Sequence, residues 1–446
     1  MQTGIRLIAQ CYNITTGEMI EEAILHDGKL PKAETLKQLG YLHIEQINLL
    51  QKAQDFKVKH QIVLNTMNKC PSCGSKTSKH GTFKSNFFAA LTDHRVTIQR
   101  TTCKCGWSSP SSIEGIYGHS MHPDLLEKQA TQGSKESYEK SSKSLNAESA
   151  GKRSINSHSQ IYKSVKYVGE LLEEVRSALD YSCDGSPEKI EPAAMLIANI
   201  DGGHIKARGD ARSFEAMVAK IYRPENLTYV NKNHNAVISK TFVASAKADE
   251  QQSIKKLFKS ACVAQGMMGS TKVTCLADGA KNCWSIAHSI ENDCQQVECI
   301  LDWFHMSMKF KNVGIPFENK DLFERAKWNL WHGKPAESLA LLDDLSCLIT
   351  DSSLITKIEK LRTYINNNQN HIVNYDERKR KGLVFTSNEA EATVNTLIND
   401  RQKGKQKMLW TREGAHNVLQ IRSSVFSSSW ANDWQKLERK AYKKAA

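Results

Sequence analysis

Two apolar runs in the second half of the chain end in an aspartate, and nothing else in the sequence restricts its folding as strongly. AAMLIANI leads into Asp201-Gly202-Gly203, and KVTCLA leads into Asp278. Short apolar runs bounded by turn signals read as fully buried strands. FEAMVAKIYR and KTFVASAKAD follow the first run as further strands, and VECILDWF closes the set. QQSIKKLFKSACVAQG and KNCWSIAHSIEND lie between them and read as helices. Strands that meander first and then alternate with helices specify an α/β class with a mixed sheet. A carboxylate at the end of a buried strand projects from the sheet edge, where open α/β sheets bind ligands. Each aspartate also has an ordinary reading: Asp201 as a turn residue and Asp278 as the cap of the following helix.

The cysteines impose a second constraint. Cys70-Pro-Ser-Cys73-Gly is followed thirty residues later by Cys103-Lys-Cys105-Gly. Two thiolates on a tight turn grip one Zn²⁺, and a second pair completes a tetrahedral four-sulfur site. With β-like residues such as HRVTIQRTTCKC between the pairs, the segment reads as a zinc ribbon. Four protein ligands leave no open position, so this zinc is expected to be structural. Cys275, Cys283, Cys294 and Cys299 lack such spacing and read as small core residues.

Composition narrows the function. Among 446 residues, 61 Lys and Arg oppose 48 Asp and Glu, a net charge of +13. That excess points to a polyanion, most often nucleic acid. No phosphate-loop motif, no GxGxxG after a strand and no HExxH occur. No run of about 18 apolar residues predicts a membrane span. MQTGIRLIAQCYNITTG lacks the charged start and apolar centre of a signal peptide, so cytoplasmic residence is expected.

Helical geometry separates two glutamates near the end. Thr386-Ser-Asn-Glu389 has the spacing of a capping box, which gives Glu389 a structural role. Its later partners Thr393, Thr396 and Asp400 form a polar side, whereas Glu391 shares a face with Val394 and Ile398. An acid on the inward stripe is costly unless it is paired or binds metal. Asp201, Asp278 and Glu391 at one sheet edge would hold two divalent metals about 4 Å apart, with Mg²⁺ or Mn²⁺ suiting the oxygen donors. Glu389 remains the alternative ligand if the helix is in a different register.

At these residues the sequence resembles the DDE transposases of bacterial insertion sequences, and more narrowly their Mutator-like branch. The matching segments are IDGGHI with Asp201, LADGAKNCW with Asp278, and ILDWFH, whose Asp302-Trp-Phe-His305 fits the branch's (C/D)xxH motif. KWNLWHGKPAESL resembles an insertion found in one subgroup, and NEAEATVNTLINDRQKGKQKMLWTREGAHNVLQIR the stretch around the catalytic glutamate. The resemblance covers about residues 190 to 425. It implies an RNase H-like catalytic domain with a helical insertion. It assigns catalysis to Asp201, Asp278 and Glu391, and gives Asp302 and His305 a site-supporting role. Relatives of this type often carry a small residue two before the glutamate, where this chain has Glu389.

The expected organisation follows. Residues 1–60 form a strand (Ile5 to Ala9) and a helix through Leu36, Leu39, Leu42, Ile47, Leu49 and Leu50, a possible dimerisation region. Residues 61–118 form the zinc ribbon and 119–185 a helical, helix-turn-helix-like DNA-binding region. Residues 190–310 and 376–425 form the catalytic domain, 311–375 the helical insertion, and 426–446 a basic tail. The expected partners are double-stranded DNA at transposon ends and target, and a second copy of the chain on DNA, with location at the nucleoid. Arg378, Lys379, Arg380 and Lys381 before the catalytic helix, and Arg401, Lys403 and Lys405 after it, are expected to contact phosphates. Trp284, Trp303, Trp328, Trp331 and Trp410 are expected mostly as core anchors, one or two of them stacking on an unpaired base. The rivals are a domesticated DNA-binding protein and an RNase H-like nuclease without strand transfer.

Overall fold

The computed structural model describes residues 3–149, 151–178, 190–209, 211–231, 234–386, 393–403 and 408–442. The chain forms two compact units: Met1–Tyr167 with Trp434–Ala446, and Val168–Asp433. Among the described residues, no helix is long and apolar enough to cross a membrane.

The first unit opens with an antiparallel hairpin, β1 (Gly4–Tyr12) and β2 (Met19–Lys29), followed by helix α1 (His43–Leu64). The expected strand is thus one half of a hairpin, and the helix starts later than its leucine pattern suggested. Gly40 at φ +80 interrupts that pattern, and Leu36 and Leu39 before it are exposed. A second hairpin follows, β3 (Ser78–Phe88) and β4 (Asp93–Thr102). Val96 and Ile98 on β4 are buried with Ile62 of α1 and Ile113 of the short helix α2 (Ile113–Tyr117).

The Ser- and Lys-rich stretch beyond is helical rather than a linker. It forms α3 (Pro123–Lys135), α4 (Tyr138–Ala147) and the start of α5 (His158–Ser177). Leu125, Leu126, Ala130, Leu145, Ile161 and Val165 are buried here. Gly133 permits α3 to approach α5, since a Cβ there would fall 2.7 Å from Val165. Gln129 donates to Ile155 O at 2.7 Å and accepts from Ser164 Oγ at 2.7 Å, so this core is pinned by buried polar bonds.

The second unit is built on a five-stranded sheet in the order β11-β10-β5-β6-β9. The strands are β5 (Met195–Lys206), β6 (Ser213–Tyr222), β9 (Thr241–Ser245), β10 (Lys272–Ala277) and β11 (Gln296–Leu301). β5, β6 and β9 meander antiparallel, while β10 and β11 run parallel to β5. The mixed α/β class is the one the sequence pattern specified. A small hairpin, β7 (Leu227–Asn231) and β8 (His234–Val237), interrupts the meander.

One sheet face buries Leu196, Ala198, Ile200, Val273, Cys275 and Ala277 against helices α6 (Gln252–Ala264) and α7 (Lys281–Ala287). The same core continues through α8 (Trp303–Val313), α9 (Lys320–Trp331), α10 (Pro335–Leu348) and α11 (Ser352–Asn368). The other face buries Ile197, Leu276 and Ile300 against Tyr375 of α12 (Tyr375–Arg380).

The outer edge of β9 is sealed by side chains of α13 (Arg412–Phe426) and the residue after it. Arg412 donates to Ala246 O, Ala246 N–H to His416 Nδ1, Gln420 to Ala244 O and Phe242 N–H to Ser427 Oγ, at 2.7 to 3.3 Å. Three of these recur every four residues, one helical face, and stand where a sixth strand would pair. Gln420→Leu should therefore orphan a buried carbonyl and cost about 1–3 kcal/mol. A fall in the urea midpoint of that size is expected, and an unchanged midpoint would show the edge is held otherwise.

The expected basic tail is also helical, α14 (Trp430–Ala441), with Trp434, Leu437 and Ala441 buried. Those residues fall at i, i+3 and i+7, an apolar stripe that overrides the charge of the segment.

Candidate functional site

The four cysteines converge. Cys70 Sγ lies 3.6 Å from Cys105 Sγ, and Cys73 Sγ 3.4 Å from Cys103 Sγ. All four sulfurs lie within 4.8 Å of one another. Each pair sits on a turn closed by a backbone bond and a left-handed glycine: Gly74 N–H to Cys70 O with φ +73, and Gly106 N–H to Cys103 O with φ +93. Donors from Ser75 lower the Cys73 pKa to about 6. The Trp107 amide acts the same way on Cys105, but the neighbouring sulfurs outweigh it and push that thiol up to about 12. Four sulfurs so close carry their charges together only around a cation. The cluster can hold a structural Zn²⁺.

The acids meet at the other candidate site. Ile200 of β5 pairs with Ala277 of β10, and Ala277 with Leu301 of β11. Asp201, Asp278 and Asp302 are the next residues along the chain. Three neighbouring parallel strands thus bring an aspartate to one level: Asp278 and Asp302 follow the last residues of β10 and β11, whereas Asp201 lies inside β5, paired with Val218 of β6, so the strand expected to end at Asp201 runs on to Lys206. Asp201 Oδ1 accepts from Gly202 N–H at 2.7 Å. Asp278 Oδ1 accepts from Ala280 N–H at 3.0 Å and faces Cys283 Sγ at 3.8 Å. Asp278 therefore shapes the turn before α7, and the N-cap of α7 is Ala280. Asp302 is fully buried, caps α8 by accepting from Phe304 N–H, and pairs with His305 Nδ1 at 2.9 Å.

Burial raises the Asp201 carboxyl to about 6; its own backbone bond and His305 oppose this, while Asp278 and Asp302 add to it. Burial disfavours a charged His305, but Asp302 outweighs that and, with Asp201 and Asp278, raises its pKa. Asp278 and Asp302 thus both favour the neutral form of Asp201, and all three acids favour the charged form of His305. The sign of the Asp201 shift makes a prediction. A carboxyl with a raised folded-state pKa destabilises the fold as pH rises from about 4 to about 6, and the cost persists above that. Asp201→Asn should stabilise the metal-free protein by up to about 3 kcal/mol at pH 7 and by almost nothing near pH 4. Urea unfolding at both pH values checks this; an equal effect at the two would remove the electrostatic account.

Glu391 and Glu389 lie outside the described residues. The described chain resumes with two α-helical residues, Thr393 and Val394, and then a π-helix, Asn395–Lys403, where a plain α-helix was expected. Thr393, Val394, Leu397, Ile398, Arg401 and Gln402 are buried in pairs recurring every four residues, which fits the wider π spacing. Thr393 is thus inward rather than on a polar side. Gly203, two residues past Asp201 and on its face of β5, lies against this segment: a Cβ there would fall 2.6 Å from Ile398 and 3.2 Å from Val394.

Two of the expected phosphate contacts, Arg401 and Arg378, are held inside the fold. Arg401 is 1% exposed with its guanidinium 4.8 Å from the Trp410 ring centre, so the inward face of the π-helix removes it from the surface. Arg378 pairs with Glu298 at 2.8 Å and donates to Val384 O. Glu298 sits four residues before Asp302 on β11, about 13 Å along the strand from the acids. Arg380 and Lys381 pair with Asp376 and Glu377 one helical turn back. Lys379 is exposed beside the Trp331 ring, Lys403 is exposed, and Lys405 lies outside the described residues. Of the tryptophans, Trp284 and Trp410 are buried, Trp303 and Trp331 stack with Tyr375, and Trp328 is 61% exposed.

Sequence reasoning missed two residues at the acid end. Tyr364 of α11 donates to Asp278 O at 2.8 Å, and Asn368 lies against Gly279. They come from a segment with no motif. No protein-family model matches this sequence, and no curated protein matches it.

Proposed function

We propose that the chain is a DNA transposase, with an RNase H-like catalytic domain in the second unit and the helices between 311 and 375 as its insertion. The first unit, with its ribbon and helical region, would bind the terminal inverted repeats. The observation that carries the reading is the common level of Asp201 and Asp278 on adjacent parallel strands. The chain that follows Glu391 packs on Gly203 of that same face, which supports Glu391 as the third acid. The meander of three strands followed by two parallel ones supports the RNase H-like reading.

Two Mg²⁺ or Mn²⁺ ions held by these three acids would activate water or a 3′-hydroxyl and stabilise the leaving oxygen. Asp201, whose carboxyl is raised first by burial and further by Asp278 and Asp302, fits a site completed by cations. Asp201 is held within β5 and by the Gly202 N–H, and Asp278 by the turn that follows it, which would keep the donors in place between cleavage and joining. His305, tied to the buried Asp302, offsets part of the charge from the side. The same acids would serve hydrolysis at the element ends and transfer of the 3′-hydroxyl to target DNA. Two ends require at least two copies of the chain on DNA.

The test begins with the DNA on both sides of the gene. Imperfect inverted repeats bounded by short direct duplications are expected, and the purified protein should bind those repeats in preference to unrelated duplex. A gene without such boundaries would favour a nuclease or a domesticated binder.

A further inference from the structure

We infer that Tyr364 is a positioning residue for Asp278, and that α11 thereby sets the metal affinity of the acid site. The inference rests on the proposed metal-binding role of Asp278 and adds the device that orients it.

Asp278 stands on a turn that the strand does not hold, because its pairing ends at Ala277. Two residues of α11, one helical turn apart, close on that turn. Tyr364 Oη donates to the Asp278 carbonyl at 2.8 Å. Asn368, 4% exposed, fills the place a side chain would occupy on Gly279: a Cβ there would fall 2.7 Å from Asn368 Oδ1. Gly279 adopts φ +92, so the turn needs glycine on both counts. Asn368 is itself fixed, accepting from Trp284 Nε1 at 3.3 Å and donating to Tyr364 O at 3.0 Å.

The carbonyl of Asp278 is thus tied from one side, and its carboxylate by Ala280 N–H from the other. Both ties fix the turn that carries the carboxylate. Lys309 of α8 places its ammonium 4.3 Å from the Tyr364 ring centre, which helps to hold the ring.

The test is Mn²⁺ binding to the full-length, zinc-loaded protein, followed by electron paramagnetic resonance, with urea midpoints in parallel. Tyr364→Phe should weaken the tightest Mn²⁺ site about tenfold, the usual scale for losing an outer partner of a metal ligand. Thr363→Val is the control, since its hydroxyl bonds only the Glu359 carbonyl on the same helix. It should leave Mn²⁺ affinity unchanged. Asp278→Asn should remove the site. If Tyr364→Phe binds Mn²⁺ like wild type while Asp278→Asn does not bind, the clamp is wrong and the metal site stands. If Asp278→Asn binds like wild type, the metal reading fails and takes the inference with it. Should Tyr364→Phe unfold, Asn368→Ser reads the same clamp through its other arm, with the same weakening expected and wild-type affinity overturning the inference.

Discussion

Asp278→Asn should leave the protein folded and able to bind DNA while reducing Mn²⁺-dependent strand cleavage by roughly a thousandfold or more. The change keeps the shape of the side chain and its acceptor for Ala280 N–H. It removes one charged oxygen from a site whose proposed chemistry is the stabilisation of charge on a phosphodiester. Loss of such a contribution costs on the order of 4 kcal/mol of transition-state stabilisation, or about three powers of ten in rate. Asp201→Asn should behave alike. Equal loss of binding and cleavage would instead make both acids structural. A rate within tenfold of wild type would place the chemistry elsewhere.

Cys70→Ser should have the larger effect on folding. Cys70 is the buried member of the sulfur cluster and closes its turn by accepting from Gly74 N–H. The β3–β4 hairpin brings the two cysteine pairs together, but the apolar side chains it buries are only Val96 and Ile98. Metal binding in small structural zinc sites supplies about 10–16 kcal/mol, which is folding free energy for so small an element. The variant is expected to lose its zinc, measured by mass spectrometry of the metal, and to expose the ribbon to proteolysis. DNA binding by the first unit should fall with it. Full zinc content in Cys70→Ser would refute the ligand assignment.

Much of this was legible in the residues because the signals were local. Apolar runs ending in Asp201 and Asp278 gave the central strands, since a fully buried strand leaves a continuous apolar stretch. Cysteine spacing gave the cluster because a tight turn sets which thiols can converge. Other features depend on contacts between distant residues. The second strand of the first hairpin carries exposed Ile20 and Ile24 beside charged neighbours, so its alternation is blurred. The charge of Arg378 and Arg401 marked them as surface groups, yet Glu298 and Trp410, far away in sequence, engage both. The level alignment of Asp302 with the other two aspartates follows from strand register, which no single segment encodes. Tyr364 and Asn368 had no signal at all, because their role arises only where α11 crosses the turn after β10.

The central claim is that one acid site both cuts and joins DNA. The most direct test incubates the full-length protein and Mn²⁺ with duplexes carrying the inverted repeats expected beside its gene, plus a supercoiled target plasmid. The expected result is cleavage that leaves a 3′-hydroxyl at the repeat end, followed by its covalent joining to the plasmid, with both products absent in Asp278→Asn. Cleavage without joining would contradict the transposase reading in favour of a nuclease. Neither product, with the repeats still bound, would leave a DNA-binding protein without catalysis.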